Sequence, residues 1–244
     1  MHLPTKVTKL AVEIPAEVAD MFPISANMEG VVPRLPQIKI IHAGGLFQMP
    51  DETKPDMFEG VIIDKHSANA WWEKPASETG VQAPDCFSMD GITPVEECAS
   101  KQSDSCSECA QNQYGSDKKG KGKACKNMRR VHIIVENSVL PRRLSVGPTS
   151  LSNFDAYVTS LYDSGLPYAC VVTQFSLETK TADGNTWSII KPSRGRVLAG
   201  EELVSVAGYI KKYRDASRKQ EIKSDEYFDT SFDTEEMDKT DIPY

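Results

Sequence analysis

From residue 74 to residue 125 the chain has little hydrophobic periodicity and is rich in Cys, Ser, Gly and Lys. So long an irregular stretch inside a compact domain needs a staple to order it. Five of the six cysteines fall here: Cys86, Cys98, Cys106, Cys109 and Cys125. No apolar run is long enough for a secretory signal or a membrane span, so the chain reads as soluble and cytosolic. Disulfides are disfavoured in that setting, and clustered thiols point to a metal instead. Cys106-Ser107-Glu108-Cys109 is a C-x2-C knuckle whose spacing lets two thiolates meet one tetrahedral Zn²⁺. Cys125 supplies a third ligand. For the fourth, Cys86, beside Pro84 and Phe87, is preferred to Cys98 in its acidic stretch, with His132 a further substitute. Four thiolates close the coordination sphere, so the expected ion is structural and not catalytic. Cys170, in an apolar run, reads as core.

The charge is unevenly placed. Residues 221–244 hold nine acids and two bases, which accounts for the whole formal net charge of −7, while residues 1–220 balance 26 acids with 26 bases. A like-charged, aliphatic-poor segment cannot offset its ordering entropy by burial, so a disordered acidic tail is expected over 221–244. The body carries a basic block: Lys118, Lys119, Lys121, Lys123, Lys126, Arg129 and Arg130 fall within thirteen residues that contain no acid. Arg142 and Arg143 follow. Such a block is a solvated loop or, if the metal orders the insertion, a phosphate-binding surface.

Residues 1–35, punctuated by prolines, read as an N-terminal extension, with a short helix near Pro15. Strands are expected over Ile38–His42, from Phe58 through Asp64 to Trp72, over Arg130–Val135 and over Arg142–Val146. A helix capped by Thr149 or Ser150 follows, with Leu151, Phe154, Val158 and Leu161 on one face and Gly165 at its end. Tyr168–Thr179 and Thr186–Lys191 form a hairpin about Asp183-Gly184, and Glu201–Arg218 is an amphipathic helix. Strands, one helix and a β-hairpin make a mainly β, α+β domain over 36–220, with the Cys-rich insertion at about 74–128. That order suits a small Greek-key barrel of the OB type; the mid-chain helix argues against an immunoglobulin-like sandwich.

The chain ends Asp241-Ile242-Pro243-Tyr244. A terminal carboxylate, an apolar pair and a ring form a compact anchor for a basic-rimmed hydrophobic pocket, steered there by the surrounding acids. This tip on an acidic tract resembles bacterial single-stranded DNA-binding proteins, which end Asp-Ile-Pro-Phe; the likeness covers about a tenth of the chain, and Tyr244 departs from it. The body lacks that family's Gly/Gln/Pro-rich linker. Its Cys-rich run is more like the zinc-bearing single-stranded DNA-binding proteins of phages, and Asp85-Cys86-Phe87-Ser88 with Lys123-Ala124-Cys125-Lys126-Asn127 resembles phage replication-region proteins.

The resemblance implies a protein that coats single-stranded DNA in replication, recombination and repair and recruits partner proteins through Asp241–Tyr244, in a cytoplasm that is the host's if the protein is phage-encoded. Such a binder needs cations along a groove and aromatic faces for the bases. The cations are Lys118, Lys119, Lys121, Lys123, Lys126, Arg129, Arg130, Arg142 and Arg143. The rings are Trp71, Trp72, Tyr114 and Trp187, with one of Trp71 and Trp72 exposed by strand alternation; Phe154, Tyr162 and Phe175 read as core. P-loop, G-x-S-x-G, H-E-x-x-H and zinc-deaminase patterns are missing, and the four histidines show no metal-ligand spacing, so no enzyme is expected. The alternative is a zinc-stabilised adaptor or inhibitor that binds a host replication protein and never touches DNA.

Overall fold

The apolar run after Phe58 becomes the central strand of one curved sheet in a computed structural model of the chain. The structure describes residues 15–21, 23–31, 34–74, 76–117, 122–182 and 184–226. The strands are β1 (Gln37–Ile41), β2 (Leu46–Gln48), β3 (Met57–Trp71), β4 (Cys86–Ser88), β5 (Lys126–Val135), β6 (Arg142–Val146), β7 (Val171–Ala182) and β8 (Asn185–Val197). The helices are α1 (Ala76–Thr79), α2 (Pro148–Asp163) and α3 (Glu201–Arg218). Strand order is β2-β1-β6-β5-β3-β7-β8, with β4 added to the far end of β3. All pairs are antiparallel except β1 with β6.

The sheet is a curled half-barrel, and its two ends meet through side-chain contacts. The Ser188 backbone N–H of β8 donates to His42 Nδ1 at 3.1 Å, and the Ser188 hydroxyl donates to the His42 carbonyl at 2.9 Å. The fold is therefore mixed α+β and mostly sheet, as composition and order imply.

Both faces of the sheet are covered, which is why β3 and β5 are apolar on both sides. Phe58, Ile62, Val131 and Ile133 pack with Phe154, Tyr157 and Leu161 of α2. Val61, Ile63, Ile134 and Val172 pack with Val206 and Tyr213 of α3. Gly60 lies where β3 and β5 run tightest: a Cβ there would stand 2.4 Å from Ile133 Cγ2 and 2.7 Å from the Ile134 carbonyl oxygen.

Helix α2 begins two or three residues earlier than its hydroxyls suggest. Gly147 is the N-cap and Pro148 fills the first turn, where a missing N–H costs nothing. Ser150 is buried instead, and its hydroxyl accepts the Ile190 N–H at 2.9 Å, tying α2 to β8. The other end does follow the sequence: Gly165 has φ +67°, its N–H reaches the Tyr162 carbonyl, and the Leu166 N–H reaches the Leu161 carbonyl, a Schellman closure. Two expected core residues are corrected. Tyr162 is 85% exposed on the solvent face of α2, and Cys170 is only half-buried, in a 3-10 turn that precedes β7.

Of the tail expected to be disordered, residues 221–226 are ordered against the sheet, and 227–244 lie outside the described residues. Ile222 is buried with Ala68, Ala70 and Met128, and Glu226 is enclosed by Arg130 and Arg143. A carboxylate received by two guanidinium groups does not repel its own segment. No helix among the described residues is long and apolar enough to cross a membrane.

Candidate functional site

The irregular region is anchored by β4, whose Cys86 pairs with Trp71 and whose Ser88 pairs with Asn69 at the end of β3. From there the chain is ordered by turns. The Asp90 carboxylate accepts from the Ile92 N–H (2.7 Å), the Thr93 N–H (2.9 Å) and the Ser88 hydroxyl (2.7 Å). Burial raises the Asp90 carboxyl, but the Thr93 and Ile92 amides outweigh it and hold the group below its ordinary value. Backbone bonds then place the cysteines: the Cys106 N–H reaches the Ile92 carbonyl and the Cys125 N–H the Gln111 carbonyl, each at 2.8 Å.

Cys86, Cys106, Cys109 and Cys125 are all buried and line one small cavity together with Asn69, Trp71 and Gln111. All six cysteines are free thiols. Burial pushes the Cys125 thiol up to about 12, with the neighbouring Cys106, Cys109 and Cys86 adding to it. Burial and the neighbouring Cys98 push Cys86 up to about 11. Cys98 is half-buried beside Cys86, and its sulfur accepts the Phe87 N–H at 3.1 Å. A positive ion would reverse these shifts, because thiolates in mutual repulsion are what a dication stabilises.

On the outer side of the same loops lies an open groove of about 350 Å³, lined by Gly91, Ile92, Ser107, Asn112, Gln113 and Lys123. Tyr114 is 85% exposed, and the Lys123 ammonium sits 5.1 Å from its ring centre. Of the other expected stackers, Trp71, Trp72 and Trp187 are all half-buried. Trp71 faces the cysteine cavity and Trp72 packs beside Met128, so alternation does not leave one of the two open.

The expected cations divide. Lys123 is partly exposed in the groove, Arg129 pairs with Asp155 at 3.1 Å at the surface, and Arg142 is half-buried. Lys118, Lys119 and Lys121 lie outside the described residues, as do Asp241, Ile242, Pro243 and Tyr244. Three assignments are corrected. Lys126 is buried against Asp117 at 2.8 Å. Arg130 is fully buried, donating to the Gln220 and Glu221 carbonyls (2.6 and 2.8 Å) and to Glu226 (3.0 Å). Arg143 also pairs with Glu226, at 3.1 Å. Buried and already paired, these three are not a phosphate surface: Lys126 ties β5 to the Cys-rich loops, and Arg130 and Arg143 hold the segment after α3 to the sheet.

A second cluster went unread in the sequence. Asp64 follows a bulge in β3, His66 lies two residues on, and His132 of β5 is the register partner of Asp64. Their ligand atoms all lie within 4.8 Å of one another, so the three could hold a metal ion; among the described residues no set of cysteines meets that distance. The Asp64 carboxylate accepts from Arg218 Nη2 at 3.0 Å and Nε at 3.3 Å, and Oδ2 lies 3.4 Å from His66 Nδ1. Burial raises this carboxyl, but His66 and Arg218 outweigh it and hold it down to about 2. Burial pushes the His132 imidazole down to about 2, helped by His66 and Arg130. Asp64-x-His66 in a strand does place both side chains on one face, a signal available in the sequence. The pairing that brings up His132 is not legible there.

Comparison with family models, with curated proteins and with solved structures gives no match for this chain.

Proposed function

We propose that the protein binds single-stranded DNA, coating it during replication, recombination or repair, as a binding module and not an enzyme. The observation that carries this reading is Tyr114. An aromatic ring left 85% exposed, with an ammonium 5.1 Å from its centre and an open groove beside it, has the form of a stacking platform with a phosphate partner. A curled half-barrel of mostly antiparallel strands is compatible with an OB-like body.

In this reading Cys86, Cys106, Cys109 and Cys125 hold one structural Zn²⁺ that fixes the loops carrying Tyr114 and Lys123. Their burial around one cavity and their all-thiol chemistry fit such an ion, which would draw the sulfurs together. The acidic tract and its tip, Asp241–Tyr244, recruit partner proteins in the cytoplasm. Deleting the tip should abolish partner capture and leave DNA affinity intact or higher.

Gel shifts with single-stranded DNA, duplex DNA and RNA oligomers test the reading. Tight binding of the single strand, weakened about 5- to 150-fold by Tyr114→Ala, is expected from the loss of one stacked base at ~1–3 kcal/mol. Equal affinity for the single strand in Tyr114→Ala would remove the groove from the site. A protein that captures replication proteins but leaves every oligomer unshifted would be the adaptor instead.

A further inference from the structure

The Asp64–His66–His132 cluster has no part in the proposed DNA groove, yet it is the most chemically unusual place in the described structure. His132 is 0% exposed, and neither of its ring nitrogens has a hydrogen-bond partner among the described residues; His66 Nε2 is equally buried and unpartnered. A buried imidazole carries polar nitrogens that need partners, and leaving such a group unsatisfied is costly. Here three ring nitrogens stand so, on two rings lying 15° from parallel with centroids 5.6 Å apart, beside a carboxylate. Two imidazoles and one carboxylate on one face of adjacent strands form a metal-binding donor set.

We propose that Asp64, His66 and His132 bind a borderline divalent cation of the Zn²⁺ class, at a site separate from the cysteines. Arg218 and Arg214 lie on Asp64 from α3, at 3.0 and 3.7 Å, while Arg130 and Arg143 flank His132 along β5 and β6. The donor set decides between dications: a hard cation such as Mg²⁺ or Ca²⁺ prefers charged oxygen ligands and has only Asp64 here. An ion that bonds imidazole nitrogen directly is the one that can enter. The metal takes one nitrogen from each ring and joins β3 to β5, and through the Asp64–Arg218 contact it fixes the end of α3.

The test uses the full chain stripped of metal. Co²⁺ on thiolates gives intense sulfur-to-metal charge-transfer absorption; Co²⁺ on Asp and His does not. Co²⁺ uptake should continue after the thiolate band saturates, and His132→Asn should lose that later uptake while keeping the band. The Cys106→Ser/Cys109→Ser variant should lose the band and keep the later uptake. The cysteine reading and this one therefore fail separately. Because either variant can unfold, the wild-type imidazole ¹⁵N resonances are followed as well. Zn²⁺ should shift those of His66 and His132 at saturable, stoichiometric levels, and Mg²⁺ at the same concentration should not. Resonances unmoved by Zn²⁺, or moved equally by Mg²⁺, would overturn the proposal.

Discussion

A positive charge in a sequence is a different object from a positive charge on a surface, and Arg130 illustrates it. Arg130 sits in the basic block beside Lys126, yet its guanidinium is fully buried on Glu226 and two carbonyls. Its removal leaves the Glu226 carboxylate buried with one partner fewer, so Arg130→Ala should lower unfolding free energy by roughly 3–5 kcal/mol in chemical denaturation. Tyr114→Ala, at an 85% exposed position, should leave the same denaturation curve within about 0.5 kcal/mol and act on DNA affinity alone. Asp90 gives a pH signature. Its carboxyl is depressed in the folded chain by amide hydrogen bonds, so it contributes stability that is present above the ordinary carboxylate range and is lost as pH falls through and below it. Asp90→Asn should flatten that part of the acid limb of the stability profile; an unchanged limb would mean the turn carries no weight.

Among the elements, those with a clear period or stop signal were legible from the residues. Helix α3 spans Glu201–Arg218 as its apolar spacing requires, and β6 spans Arg142–Val146. Gly165 closes α2 because only a residue free at positive φ completes the Schellman bonds; Gly165→Ala should cost about 1 kcal/mol in thermal or urea unfolding. What was not legible depended on partners distant in sequence. The start of α2 was hidden because Ser150, a good cap by type, is used by β8. The docking of residues 221–226 was hidden because acidic composition says nothing of two arginines waiting across the sheet. The Asp–His–His cluster needed the β3–β5 register, which a bulge between Ile62 and Asp64 sets. Gly60 marks the same strand pair: with a Cβ only 2.4 Å from Ile133 Cγ2, Gly60→Val should prevent accumulation of soluble folded protein.

For the molecule as a whole, a sheet covered on both faces by α2 and α3 provides a rigid frame, and the Cys-rich loops project from one end of its central strand. Function is expected at that end, where the exposed ring, the ammonium and the open groove converge. The most direct measurement is fluorescence anisotropy of a labelled oligo-dT titrated with the purified full chain across a salt series. The account predicts saturable binding that weakens steeply with salt and a log–log slope about one unit shallower in Lys123→Ala. An anisotropy that stays flat at low salt, with the protein folded and metal-loaded, would contradict it.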